Sequence, residues 1–164
     1  MVEIRSAEMI DASNIAALSS LVWLHSYSLD GIRQEISDYA LQTFNSEYFK
    51  QQLNKSDTHY YLLMKNAHLI GFITVNLAQK CKQADGYEIQ TLYVHPRFHG
   101  NGYGKKLLEY IRLKHGENFW LTTWHGNTPA INFYKHYGFK DVGATYFQLG
   151  EEQHENRVLA FSNE

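Results

Sequence analysis

The first third of the chain has the apolar spacing of helices, preceded by a short strand around Ile4. Apolar side chains recur every three to four residues after Asp11 and again after Asp30. Two amphipathic helices are therefore predicted to begin there, the first capped by Asp11. A short third helix is predicted over 46–53. The predicted inward faces carry Ile15, Leu18, Leu21 and Val22 in the first helix, Ile32, Ile36, Tyr39 and Ala40 in the second, and Phe49 and Leu53 in the third.

After Thr58 the apolar period changes to that of strands. Residues 60–64 and 69–75 are mainly apolar, and the turn at 65–67 between them predicts a β-hairpin. A polar loop is predicted over 78–86. Further strands are predicted at 87–94, 119–124, 139–142, 145–149 and 157–161.

Two more helices are predicted between these later strands. One runs from 102 or 103 to 114 and is stopped by Gly116. The other begins after Asn127, has Pro129 in its first turn and ends at Gly138. The order of elements predicts an α/β (α+β) fold, with a mixed central sheet of six or seven strands and helices on both faces.

Composition narrows the choice of partners and compartment. The whole chain, residues 1–164, is predicted to be one domain, and its 44% hydrophobic and 20% charged residues are ordinary for a soluble globular protein. A net charge of −2 argues against nucleic acid, and no apolar run is long enough to span a membrane. Cys81, the single cysteine, excludes an internal disulfide and a cysteine-based zinc site. The first residues lack a signal-peptide pattern, so we expect a cytoplasmic location.

Three glycines at alternate positions separate the strand at 87–94 from the helix that follows it. Gly100, Gly102 and Gly104 leave backbone amides uncovered at the positive end of a helix, which suits a phosphorylated ligand. A Walker A loop is excluded because Lys106 stands where Ser or Thr is required, and the spacing is not the GxGxxG of dinucleotide sites. The segment therefore predicts a diphosphate site of another kind.

The nine histidines do not form a metal or hydrolase motif. His95 and His99 are four residues apart, but they span a proline-containing turn and no glutamate follows His95, so the HExxH geometry fails. No serine lies in a G-x-S-x-G sequence. No metal is expected.

Two motifs give the chain a family resemblance. The segment from His99 to Gly104 matches Q/R-x-x-G-x-G/A, with His99 in place of Gln or Arg. The segment from Asn127 to Phe139 matches N-x-x-A-x-x-F-Y-x-x-x-G-F. Together they resemble the GNAT superfamily of acetyl-CoA-dependent N-acetyltransferases. Within it the chain is similar to the PaiA-type polyamine acetyltransferases at Trp124, Asn127, Gly143, residues 147–151 and the run from Trp23 to Tyr27.

The resemblance implies a fold in which two central strands splay apart and hold the pantetheine arm of acetyl-CoA. Amides of the glycine turn would hold the pyrophosphate, with Lys106 and Arg97 as further phosphate contacts. The main chain of Leu92 and Val94 would pair with pantetheine, and the Val94 amide would polarise the thioester carbonyl. The implied cosubstrate site comprises Leu92, Val94, His99, Gly100, Asn101, Gly102, Tyr103, Gly104, Lys105, Asn127 and Tyr134.

The resemblance also implies catalytic roles. Tyr134 is similar to the family's general acid, which protonates the departing thiolate; the alternative is a core aromatic residue. Glu88 stands six residues before Val94, as the catalytic glutamate does in several GNAT enzymes; it is a candidate base, an amine binder or an ordinary strand residue. Asn127 either caps a helix or bonds to the cosubstrate. The implied acceptor-binding residues are Trp23, Tyr27, Glu88 and Gln90.

The leading hypothesis is an N-acetyltransferase that transfers the acetyl group of acetyl-CoA to a primary amine by direct attack. Spermidine and spermine are candidate acceptors. The alternatives are a protein or peptide N-acetyltransferase and a CoA-binding regulator without turnover. The C-terminal strands are a candidate pairing surface for a homodimer.

Overall fold

The computed structural model describes residues 1–163, which form seven strands and five α-helices around one sheet. The sheet order is β1-β2-β3-β4-β5-β7-β6, and only the β4–β5 pair is parallel. In chain order the elements are β1 (Val2–Ser6), α1 (Ala12–Tyr27), α2 (Gln34–Thr43), α3 (Ser46–Leu53), β2 (Thr58–Lys65), β3 (His68–Asn76), β4 (Tyr87–Val94), α4 (Tyr103–His115), β5 (Phe119–Trp124), α5 (Thr128–Tyr137), β6 (Lys140–Leu149) and β7 (Glu152–Phe161).

Helices cover both faces of this sheet, as the sequence predicted. Alternate residues of β2 point to opposite faces, so Leu62 packs under α1 and α3 while Leu63 packs under α4. The first face buries Ile15 and Phe49 with Leu62. The second buries Leu107, Leu108, Ile111 and Tyr134 with Leu63. The mixed α/β architecture is therefore confirmed.

The start of the second helix was predicted too early. The amide of Gly31 donates to Ser28 O in a turn, and Gly31 has a φ of +108°, which no helix continues. Because α2 begins at Gln34, Ile32 lies outside it and is 62% exposed. Leu21 was also predicted to face inward, and it is 41% exposed.

The cap predicted at Asp11 has a different role for its side chain. Asp11 is the residue before α1, but its carboxylate makes no capping hydrogen bond to that helix. It accepts two hydrogen bonds from the Arg5 guanidinium, at 2.8 and 2.9 Å, and one from the Glu8 amide. This hydrogen bonding holds the pKa of Asp11 below its usual value and ties β1 to the start of α1.

The C-terminal strands are longer than predicted. The separate strands expected at 139–142 and 145–149 are one strand, β6, whose register shifts by one residue between Asp141 and Gly143. Strand β7 begins at Glu152, five residues before the predicted start at 157, because its polar first half pairs with the second half of β6. The two form a hairpin at one edge of the sheet.

Strands β4 and β5 pair over only two positions and then separate. The pairs are Tyr87 with Phe119 and Glu88 with Trp120. Gln90 forms a bulge opposite β3, since Ile89 pairs with Val75 and Thr91 pairs with Thr74. From there to Val94 only β3 pairs with β4, which leaves a gap toward β5. The splay implied by the family resemblance is confirmed, and α4 and α5 both begin at its open end.

None of the helices in residues 1–163 is both long enough and apolar enough to cross a lipid bilayer.

Candidate active site

The glycine turn lies at the open end of the gap and presents bare backbone. Gly100 and Gly102 have φ values of +83° and +76°, and a Cβ added to either would meet no atom within 4 Å. Gly102 is the residue before α4, so the amides of the first turn that follow it have no acceptor within the helix. The turn therefore combines open space with hydrogen-bond donors at a helix N-terminus, as a bound diphosphate requires.

Cationic side chains surround this turn. Arg97, Lys105 and Lys106 are exposed, and none is paired with a carboxylate within the described part of the chain. The charges that a phosphorylated ligand needs are therefore available beside the bare amides.

Two side chains fix the shape of the turn from within. His99, which replaces the family's Gln or Arg, places Nε2 2.8 Å from the Val94 carbonyl oxygen; this nitrogen must carry the proton because a carbonyl can only accept. Asn101 donates its side-chain amide to Phe98 O at 3.0 Å. Gly104 packs closely against Phe133: a Cβ there would lie 2.9 Å from the ring, which would have to shift. The contacts of His99 and Asn101 with the cosubstrate stay predictions.

Leu92 and Val94 serve the core with their side chains. Both are partly buried against the cluster under α4. Their main chain borders the gap, where it is placed to pair with an extended ligand. Pairing with pantetheine stays a prediction.

Tyr134 lies on α5 beside the gap. It is 8% exposed, with ring centroids 5.3 Å from Phe133 and 5.2 Å from Phe139. Burial raises its pKa, so the phenol is protonated at neutral pH. No described residue accepts a hydrogen bond from its hydroxyl. The ring is a core aromatic, as the alternative interpretation required, and its hydroxyl is still free to act on a ligand.

Further tyrosines lie close to Tyr93 of β4, near the gap between β4 and β5. Burial, together with the nearby phenols of Tyr27, Tyr39 and Tyr134, raises the pKa of Tyr93. Burial also raises the pKa of Tyr27, to about 12. These hydroxyls are all hydrogen-bond donors at neutral pH.

Asn127 caps α5. Its Oδ1 accepts from the Ala130 amide at 3.4 Å, which confirms the capping alternative. A bond from Asn127 to the cosubstrate stays a prediction.

Glu88 occupies the last paired position before β4 and β5 separate. It is half-buried, has no cationic partner in residues 1–163, and its pKa is raised by burial. Gln90, which forms the bulge, opposes this shift, so its side chain lies near the Glu88 carboxyl group; a shared role of the two residues in acceptor binding stays a prediction. A carboxyl group with a raised pKa is a better proton acceptor than an ordinary one.

Trp23 and Tyr27 lie in an aromatic cluster of α1 and α2. Trp23 is 5% exposed and stacks between Tyr27 and Tyr39, with ring centroids 4.7 Å from each. Tyr27 extends toward the gap and packs against Trp124 of β5, with the two ring centroids 5.5 Å apart. Trp23 therefore supports Tyr27, and contact of either residue with an acceptor stays a prediction.

A cavity of about 520 Å³ opens beside Glu88, and most of its lining was missed by the sequence analysis. Trp120 and Thr122 come from β5, Phe147 from β6, Asn156 from β7, and Lys80 to Gln83 from the loop between β3 and β4. Alternation along β5 places Trp120, Thr122 and Trp124 on one face. The contributions of β7 and the loop depend on pairings that sequence spacing does not show.

No group of three or more His, Cys, Asp or Glu side chains within residues 1–163 is placed to hold a metal ion.

Comparison with known proteins agrees with this fold. The family model described as Acetyltransferase (GNAT) family matches residues 29–139. An uncharacterized N-acetyltransferase in the pepI 3'region of Lactobacillus delbrueckii subsp. lactis is 22% identical over 156 residues, 91% of this chain and 90% of that protein. The peptidyl-lysine N-acetyltransferase YiaC of Escherichia coli is 28% identical over 82 residues, half of each chain.

Among solved structures, the PaiA N-acetyltransferase from Thermoplasma acidophilum in complex with coenzyme A is similar in fold. It has a TM-score of 0.73 and 19% identity, with 96% of this chain and 98% of that one covered.

The splayed parallel pair with a bare glycine turn at its open end agrees with the match to the acetyltransferase family model. The chain belongs to the Acetyltransferase (GNAT) family. It is an acyltransferase whose expected cosubstrate is acetyl-CoA.

Proposed function

We propose that this chain forms one domain that transfers the acetyl group of acetyl-CoA to a primary amine by direct attack. One observation carries the proposal: the gap between β4 and β5 has the bare glycine turn at its open end and Glu88, with its cavity, where the strands meet. A thioester lying along the gap would thus stand between a diphosphate cradle and an acceptor pocket. Cytoplasmic location and dimerisation stay predictions.

The chemistry requires a neutral amine and a protonated leaving group. An alkylamine has a pKa of about 10, so it arrives as a cation at neutral pH and must lose a proton. We assign that proton to Glu88, directly or through water. The nitrogen then forms a bond to the carbonyl carbon, the carbon–sulfur bond breaks, and Tyr134 donates its proton to the departing sulfur. The nitrogen releases a second proton to solvent as the amide forms. Holding the two reactants together supplies much of the rate.

The Tyr134 hydroxyl suits the last step because it is kept protonated. Its raised pKa makes a persistent phenolate costly in the apolar surroundings, so the proton is returned from solvent after each turnover. The Val94 amide is placed in the same proposal as the donor that polarises the thioester carbonyl.

A thiol-release assay tests the proposal. Purified protein with acetyl-CoA should release CoA only when a primary amine is present, and the acetylated amine should appear in equal amount by mass spectrometry. The acceptors should include spermidine and spermine, which the sequence resemblance favours, and short lysine peptides, since YiaC is a peptidyl-lysine enzyme. CoA binding without release from any acceptor would favour the regulator instead.

Glu88→Gln should lower kcat/KM about tenfold at neutral pH and remove one limb of the pH profile. In the wild type, kcat/KM should fall as pH drops through the raised pKa of Glu88, above the usual glutamate value of about 4.3. In the variant, the pH dependence of kcat/KM should show only the deprotonation of the amine substrate. Unchanged limbs in the variant would contradict the assignment.

Stability separates this effect from misfolding. A carboxyl whose folded-state pKa is raised contributes stability below its unfolded pKa, and this contribution is lost as pH rises through the folded pKa. Glu88→Gln should therefore keep or raise Tm above neutral pH while activity falls. Glu47→Gln, on the exposed side of α3, is the matched control and should change neither.

A further inference from the structure

The cavity beside Glu88 contains groups of two opposite kinds. Its volume of about 520 Å³ suits a small molecule. It lies where β4 and β5 are last paired, so an acceptor bound there would meet a thioester lying in the gap. Which acceptor it admits depends on the polarity of its walls.

One set of groups needs hydrogen-bond donors. The Glu88 carboxylate is half-buried and forms no salt bridge within the described chain. Asn156 lines the same cavity, and its Oδ1 is buried without a donor. An amine or ammonium group supplies several N–H donors and satisfies both.

A second set of groups needs hydrogen-bond acceptors and negative charge. Trp120 is 5% exposed, and its indole Nε1 is buried with no acceptor. A buried donor without an acceptor destabilises the fold unless a ligand supplies one. Lys80 and Lys82, on the loop that forms one wall, are exposed and have no carboxylate partner within residues 1–163.

A polyamine matches only the first set. At neutral pH its nitrogens are cationic donors, so it offers nothing to the Trp120 N–H and is repelled by Lys80 and Lys82. A molecule with an amine at one end and an anionic oxygen group at the other matches both sets.

We infer that the acceptor is a small amine that also carries a carboxylate or another anionic oxygen group. Glu88 and Asn156 bind its amine next to the gap, while Lys80, Lys82 and Trp120 bind its anionic group. The inference rests on the proposed function for the reaction itself. It adds the substrate class, and it selects against polyamines.

Binding to the CoA-loaded protein tests the inference without requiring turnover. Calorimetry should compare ω-amino acids of two to six carbons with alkylamines and α,ω-diamines of the same lengths. At its best chain length the ω-amino acid should bind at least about tenfold more tightly than the alkylamine and the diamine of the same length. Only the ω-amino acid has an anionic group that gains charge-assisted hydrogen bonds. The same order should hold for kcat/KM in the thiol-release assay.

Variants test which residues cause the preference for an ω-amino acid. Reversing both loop charges, Lys80→Glu with Lys82→Glu, should make the diamine the better ligand and leave the KM for acetyl-CoA unchanged. Trp120→Phe should weaken the ω-amino acid and leave the alkylamine unaffected. Lys50→Glu, exposed on α3 away from the cavity, is the matched charge control and should keep the wild-type order.

The outcomes distinguish the inference from the proposed function. The inference is wrong if diamines or alkylamines bind the wild type as tightly as ω-amino acids, if none of the three binds, or if the double variant keeps the wild-type order. Preferential binding of ω-amino acids without CoA release would support the pocket chemistry and overturn the transferase proposal.

Discussion

Tyr134→Phe is expected to lower kcat by about 100-fold or more, within the usual range for loss of a general acid. The KM for acetyl-CoA should stay within about twofold, because the phenol acts on the sulfur only as it departs. Steady-state kinetics with a saturating amine would measure both. Since no described residue accepts a hydrogen bond from the Tyr134 hydroxyl, its removal should leave Tm unchanged.

The same helix provides a control residue whose substitution should lower stability and leave kcat unchanged. Tyr137 also carries a partly buried phenol, and its hydroxyl donates to Glu109 Oε1 at 2.7 Å. Tyr137→Phe should therefore lose about 1 kcal/mol of stability and keep its kcat. If Tyr134→Phe retained full turnover, Tyr134 would be a packing residue only.

A thioester with a more acidic thiol should be less sensitive to the Tyr134→Phe substitution, because its leaving group needs less help from an acid.

Local signals explain why the two helices in the second half of the chain were predicted well. Helix α5 has Asn127 and Pro129 at its start and Gly138 at its end, and the structure begins and ends it there. Gly102 and Gly116 mark the two ends of α4 in the same way. These residues act through their own backbone geometry, so a single sequence reveals them.

Elements that depend on partners were predicted less well. The first half of β7, from Glu152, is polar and has no apolar alternation, yet it is a strand because β6 provides its hydrogen bonds. Helix α2 has apolar residues at helical spacing from Ile32, but Gly31 and the turn before it delay its start. In both cases tertiary or turn geometry overrides the local pattern.

The residues of the candidate site also divide into those marked by local sequence signals and those brought together only by the fold. The glycine turn and Tyr134 lie within contiguous motifs, and the sequence identified them. Trp120 and Asn156 come from strands that are adjacent only in the folded sheet, and Lys80 and Lys82 come from a loop with no motif. The proposed cosubstrate side of the site is thus encoded locally, whereas the proposed acceptor side is assembled from distant segments.

Gly102→Leu is expected to raise the KM for acetyl-CoA about 100-fold. The residue sits at φ +76° with open space around it, so a leucine side chain would occupy the space that the diphosphate needs. Loss of charge-assisted hydrogen bonds to a diphosphate corresponds to about 3 kcal/mol, which gives this factor. Initial rates at varied acetyl-CoA, with direct measurement of CoA binding, would check it.

Gly116→Leu is the matched control at the other end of the same helix. Gly116 also has a positive φ, +111°, and open space for a Cβ, and its ψ of 175° lies in a region that only glycine adopts readily, so Gly116→Leu imposes at least as much backbone strain as Gly102→Leu. Both should lower Tm by a few degrees, but only Gly102→Leu should weaken CoA binding. Equal KM values in the two variants would contradict the cradle, because strain in α4 and not the space beside its first amides would then account for any loss of activity.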